Sequence, residues 1–205
     1  MTITQHPTDE TLAKFAAGHL DEGRSRVIAV HVVMCAECRR WEARLRALGG
    51  VLLADAEPTA LSDRALEKAL AMLGTDSTLP RHSHQPPSLR TYADGKWKWM
   101  GPGVRWQPIS APDDESARVF LLKAAPGTRM PHHTHTGTEL TLVLSGAFSH
   151  VGGRYGPGDI DEADGSVEHQ PIVELGEDCI CLVAMEGKLQ LLGLVGRVLQ
   201  PFVRL

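Results

Sequence analysis

The sequence has no excess of basic residues, no run of eighteen apolar residues and no apolar segment at its start. Its 21 lysines and arginines stand against 25 aspartates and glutamates, for a formal net charge of −4. A surface that tracks phosphates on DNA or RNA is therefore not expected, and a protein partner fits better. With no stretch suited to crossing a bilayer and no leader-like opening, the chain reads as a soluble protein without membrane association. There are only four cysteines, two of them in a metal-like spacing, which points to a reducing compartment and hence the cytoplasm. Neither an internal repeat nor a low-complexity tract is evident.

The stretch that organises the rest is His31-Val-Val-Met-Cys35-Ala-Glu-Cys38. Spacings of four and three bring the imidazole and both thiols to one side of successive helical turns, close enough to grip one ion. Two thiolates with imidazole form a soft tetrahedral set, for which zinc is the expected occupant. The fourth ligand must come from elsewhere, and His6 is the leading candidate. The pair Cys35 and Cys38 also has two other readings, a metal-free dithiol switch and two inert buried thiols. A thioredoxin-like redox site is disfavoured because such a pair follows a strand in an α/β domain.

Length favours a small domain joined to a larger one, since 205 residues is long for a single core. Thr8 caps a short first helix bearing Leu12 and Phe15, a second runs from about Asp21 through His31, and a third begins near Cys35 and continues toward Asp55. Metal would pin the corner between the second and third helices to the N-terminal arm, a useful staple for so small a unit. Ser62 is expected to cap a fourth helix whose Leu66, Ala69, Leu70 and Leu73 form one stripe. That stripe either folds back on the first three helices or stays partly exposed and docks a partner. Residues 74–90, rich in Pro and Ser, read as a linker, and His82 and His84 within it as solvated.

From residue 91 onward, short apolar runs alternate with Gly and Pro. They begin with Trp97 to Trp99 and Val104 to Trp106 and end with Leu189 to Leu194 and Arg197 to Val203, predicting an antiparallel β-barrel or jelly roll. Trp97, Trp99 and Trp106 are expected to pack it. Within this region His133 and His135 share one strand face, and Glu139 can join them from the next strand. A fourth ligand from a distant strand would be His169, with His150 the other histidine in reach. Such a His/His/Glu/His set suits zinc, iron, manganese or nickel. Cys179 and Cys181 alternate along a late strand and read as buried core thiols.

With both constellations in place, the chain resembles the ChrR-type zinc anti-sigma factors over essentially its whole length. His6, His31, Cys35 and Cys38 match that family's N-terminal signature. The cupin motif Gly-x5-His-x-His-x3-Glu-x6-Gly is met by Gly127, His133, His135, Glu139 and Gly146. The second cupin motif departs from its usual form: after Pro157-Gly158-Asp159 a loop from Ile160 to Glu168 delays the histidine to His169, and Val173 replaces the usual Asn.

The resemblance implies a zinc-stapled helical anti-sigma domain over residues 1–73, the linker 74–90 and a cupin over 91–205. It implies zinc at the N-terminal site and a second divalent metal, again zinc, in the cupin. The partner it implies is a sigma factor of the extracytoplasmic-function type, with the fourth helix inserted between that factor's two conserved domains. Release under singlet oxygen or organic peroxide would need the cupin. No residue is given a catalytic role. A rival reading is a metal-dependent cupin enzyme, dioxygenase-like, with an accessory zinc domain; it would predict iron in the barrel and turnover of a small substrate.

Overall fold

The computed structural model describes residues 2–73, 96–109 and 117–192. The expected linker, with His82 and His84, and the expected strand from Arg197 to Val203 lie outside the described residues.

Four helices come first. Thr8 caps α1 (Asp9–Ala16) by accepting from the amide of Thr11, and Asp21 caps α2 (Glu22–Met34) by accepting from Arg24. Cys35, in extended conformation, ends α2 and caps α3 (Ala36–Ala54). The corner between the two helices is therefore a single residue, as the sequence pattern requires. The fourth helix, α4 (Ala65–Met72), starts later than expected: Arg64 occupies the N-cap position, no side chain caps it, and Ser62 contributes only its carbonyl to the amide of Ala65. No residue of α4 is buried.

Eleven strands follow among the described residues. The main sheet orders β1 (Lys98–Gly101), β2 (Val104–Pro108), β3 (Ala117–Ala124), β10 (Cys179–Glu186), β5 (Glu139–Ser145) and β8 (Ile160–Ala163), with antiparallel neighbours throughout. A second sheet orders β7 (Gly153–Tyr155), β6 (Phe148–His150) and β9 (Ile172–Val173), and a third pairs β11 (Leu189–Leu191) with β4 (His133–His135). Isolated bridges join Arg129 to Ile172 and His133 to His169. The three sheets are separate ladders, so the described strands make a cupin-like sandwich, and a closed barrel is not among them. Part of the expected loop after Asp159 is strand β8.

The main sheet is apolar on both faces. On β10, Cys181, Val183 and Met185 point into the sandwich, while Leu182 and Ala184 point the other way. On β5, Leu140 and Leu142 share that outer face, and Val143 faces inward. Strands apolar on both sides need two covers, and the outer cover is helical. Val27, Ile28 and Val32 of α2 and Leu12 of α1 form one core with Val119, Leu121, Leu140, Leu142, Ile160 and Leu182. Each such side chain contributes about 1.5–3 kcal/mol when fully buried. The helical segment thus draws its core from the sheet as well as from any metal.

Two of the expected tryptophans are not packed inside: Trp97 and Trp99 are exposed. They flank and occupy β1, which is an edge strand of the main sheet. Trp106, on β2, is partly buried and meets Phe120 edge to face at 6.0 Å.

Candidate metal centres

The N-terminal cluster assembles at the α2–α3 corner. One ligand atom from each of His6, His31, Cys35 and Cys38 lies within 4.8 Å of the others. His6 Nδ1 is 3.5 Å from Cys35 Sγ and 3.4 Å from Cys38 Sγ, and His31 Nε2 is 3.3 Å from Cys38 Sγ. His31 Nδ1 lies 2.9 Å from the carbonyl oxygen of Gly158. A carbonyl can only accept, so Nδ1 carries the proton and Nε2 turns its lone pair to the thiols. Burial and the neighbouring Cys35 push the Cys38 thiol up to about 12, so a thiolate there needs a cation. The donor set fits a soft divalent ion. A cleft lined by His6, Leu12, Cys38, Trp41 and Arg44 opens beside it.

Segment 156–162 holds this cluster in place from the sheet side. Asp159 Oδ1 accepts from the amides of Thr4 at 2.6 Å and Gln5 at 3.0 Å, and its Oδ2 accepts from Gly156 at 2.8 Å. Ile160 donates to the Gln5 carbonyl at 3.2 Å. Glu162 accepts from the Thr8 amide at 2.8 Å and the Thr11 hydroxyl at 2.5 Å, where a carboxylate also suits the N-terminus of α1. His6 sits between these two clamps. Gly158 has a φ of +89°, and a Cβ there would come within 2.7 Å of Ile3 in the same arm. Glycine therefore permits both the turn and the close passage of the arm.

The second cluster lies inside the sandwich. His133 and His135 on β4 are both buried, their rings 5.1 Å apart, while His132 points outward and is exposed. His169 is bridged to His133 by paired backbone hydrogen bonds of 3.1 Å, which puts it in the cluster despite its delayed position in the sequence. Ligand atoms of these three histidines lie within 4.8 Å of one another. Glu139, at the start of β5, places Oε2 3.1 Å from His135 Nε2. Burial would raise its carboxyl, but the close contact with His135 and the nearby His133 and His169 hold it down to about 2.

Proton positions argue for a cation here. His133 Nδ1 is 2.7 Å from the Pro131 carbonyl oxygen, so it donates and leaves a lone pair on Nε2. That Nε2 faces His169 Nε2 at 2.9 Å. Both nitrogens of His135, and Nδ1 of His169, are buried without a hydrogen-bond partner. Burial and the neighbouring His133 lower His169 to about 4, so protonation does not fill the gap. Three convergent imidazoles with a carboxylate alongside suit a divalent ion.

The structure thus brings together His6, His31, Cys35 and Cys38 as one set, and His133, His135 and His169 with Glu139 beside them as another. Sequence reasoning did not single out Asp159, Asp161, Glu162 or the carbonyl of Gly158. Their signal was weak, an acidic alternation inside a presumed loop. Cys179 and Cys181 are buried, with their sulfurs 3.7 Å apart.

Residues 88–189 match the ChrR Cupin-like domain family. Over 215 aligned residues the chain is 38% identical to the anti-sigma-E factor ChrR of Cereibacter sphaeroides, spanning all of both chains. Among solved structures it resembles the crystal structure of Rhodobacter sphaeroides SigE in complex with the anti-sigma ChrR. That match has a TM-score of 0.77 and 40% identity, and covers 90% of this chain and 100% of the other. The chain belongs to the ChrR family of anti-sigma factors.

Proposed function

We propose that this chain inhibits a sigma factor of the extracytoplasmic-function type by binding it, and that its helical segment supplies the binding face. The observation that carries this reading is the unpartnered apolar surface of α3 and α4. Leu48 and Leu52 on α3, Leu66 and Leu70 on α4, and Leu73 at its C-cap are all more than half exposed. Spacings of three and four put the α4 leucines on one stripe, which the described residues do not cover. A ChrR relative crystallised with SigE supports a sigma factor as the occupant.

Residues 1–73 act as the zinc-binding anti-sigma domain, 74–90 as a linker and 91–205 as the cupin. Zinc occupies His6, His31, Cys35 and Cys38, and a second divalent ion, also zinc, occupies His133, His135, Glu139 and His169. No helix among the described residues is long and apolar enough to cross a membrane, and the protein works in the cytoplasm. It represses transcription without contacting DNA, and its role is regulatory, not catalytic.

Oxidative stress such as singlet oxygen, sensed at the cupin, releases the partner. A physical route supports this. Strand β8 and the turn before it touch the cupin centre on one side and hold the arm carrying His6 on the other. A change in the cupin that moves β8 therefore pulls on a ligand of the helical site. A differential affinity of a few kcal/mol between the two states suffices to free most of the partner.

The test is co-purification of the full chain with an extracytoplasmic-function sigma factor, followed by exposure to singlet oxygen. The expected result is a complex that dissociates on exposure in the wild type and persists in His133→Ala. A wild-type complex that survives exposure would remove sensing from the account and leave inhibition standing.

A further inference from the structure

Asp161 belongs to neither ligand set, yet it is a buried carboxylate on the inner face of β8. Its Oδ2 lies 2.9 Å from His150 Nε2 and 3.7 Å from His169 Nδ1. The Tyr155 hydroxyl also hydrogen-bonds to it. His150 stacks on Tyr155 with ring centres 5.0 Å apart, and its side chain is 3% exposed.

The proton positions can be read in order. The backbone amide of Gly152 donates to His150 Nδ1 at 2.9 Å, so the proton of His150 sits on Nε2 and is donated to Asp161. The Tyr155 hydroxyl donates as well. An ionised carboxylate has about four acceptor positions, so capacity remains. Across from it, His169 Nδ1 is buried without a hydrogen-bond partner. If Nδ1 carries the proton toward Asp161, the Nε2 lone pair of His169 faces the centre beside that of His133.

We propose that Asp161 is the positioning residue of the cupin centre: it takes the Nδ1 proton side of His169, fixes that ring's tautomer and orientation, and directs Nε2 to the metal. A carboxylate behind a ligating histidine has this effect in metal sites generally, and its loss typically weakens metal binding about 10–100-fold. His150 and Tyr155 in turn hold the carboxylate. Two rival roles exist for these side chains. His150, Asp161 and His169 also have ligand atoms within 4.8 Å of one another and could hold an ion themselves. That would require removing the His150 Nε2 proton, which the Gly152 amide places there, and turning His169 away from His133. The other rival is a purely structural buried network, which would leave metal binding unchanged.

The proposal rests on the centre being a metal site, and the experiment separates the two failures. Cobalt(II) is titrated into the full-length, metal-free chain and into Asp161→Ala and Asp161→Asn. The thiolate charge-transfer band reports the Cys35/Cys38 site, and the remaining d–d bands report the histidine site. The expected result is that Asp161→Ala weakens cobalt at the histidine site about 10–100-fold and shifts its d–d bands, with the thiolate band unchanged. Asp161→Asn, whose amide oxygen still accepts, should fall between. Wild-type protein with no cobalt at the histidines would overturn the metal site itself. Wild-type affinity and spectrum in a folded Asp161→Ala variant would overturn only the role of Asp161, as would a third ion per chain that this substitution removes. If the alanine variant does not fold, affinity within about twofold of wild type in Asp161→Asn overturns the proposal.

Discussion

His31 and Gly158 are 127 positions apart in sequence, yet the imidazole Nδ1 of the first donates to the carbonyl of the second at 2.9 Å. A histidine of the helical cluster is thus oriented by the backbone of the cupin-like segment. Asp159, the next residue, holds the amides of Thr4 and Gln5, so both histidines of the N-terminal set depend on one turn.

Asp159→Ala should loosen the arm without touching a ligand. We expect zinc to pass from the N-terminal site to a chromophoric chelator roughly tenfold faster than in wild type, in line with the loss of an orienting contact. An unchanged transfer rate would show that the arm is held by the ion alone.

The shared core makes a second prediction. Ile28 is fully buried between α2 and the sheet, and Ile28→Ala should cost roughly 2–5 kcal/mol of unfolding free energy in the full-length chain. Chemical denaturation measures this directly. A cost under about 1 kcal/mol would mean that the helices stand off from the sheet in solution.

Surface and core can be separated on α4. Leu66→Asp and Leu70→Asp change exposed positions and should leave stability within about 0.5 kcal/mol. Each should weaken sigma-factor binding by about 2 kcal/mol or more if the stripe is central to the interface. Calorimetric titration against the partner would show both effects, and unaltered affinity in the double variant would move the binding face elsewhere.

Acid should strip the N-terminal ion, and the sign follows from Cys38. Burial and Cys35 raise its thiol to about 12 in the metal-free fold, so the proton is present throughout the neutral range and the ion must displace it. Affinity should therefore fall as pH falls, by about tenfold per pH unit for each proton displaced. Zinc titrations between pH 6 and pH 8, about two units apart, test this, and a flat profile would argue against thiolate ligation.

The helical site was legible because its chemistry is local. His31, Cys35 and Cys38 fall on one corner by spacing alone, and His6, the leading candidate for the fourth position, is matched by the family pattern as well. The cupin histidines were legible as alternation within β4. Less visible was the strand that serves both sites, since Ile160-Asp-Glu-Ala is short and acidic and looks like part of a loop. Its alternation has a physical sense only once both neighbours are known: Ile160 and Glu162 face the helical segment, and Asp161 faces the histidines. The helical cover was encoded in Leu140, Leu142 and Leu182, which make β5 and β10 apolar on both faces, but the sequence does not say what lies on the second face. The start of α4 was misplaced because Ser62 has the chemistry of a cap without serving as one.

The most direct test of the central claim is to mix the zinc-loaded, full-length chain with an extracytoplasmic-function sigma factor from the same organism and measure complex formation by light scattering, with core RNA polymerase as competitor. The account predicts a stable complex that keeps the sigma factor from core polymerase, and the loss of that complex with Cys38→Ser. No association of the zinc-loaded chain with any such sigma factor, or wild-type affinity in Cys38→Ser, would contradict it.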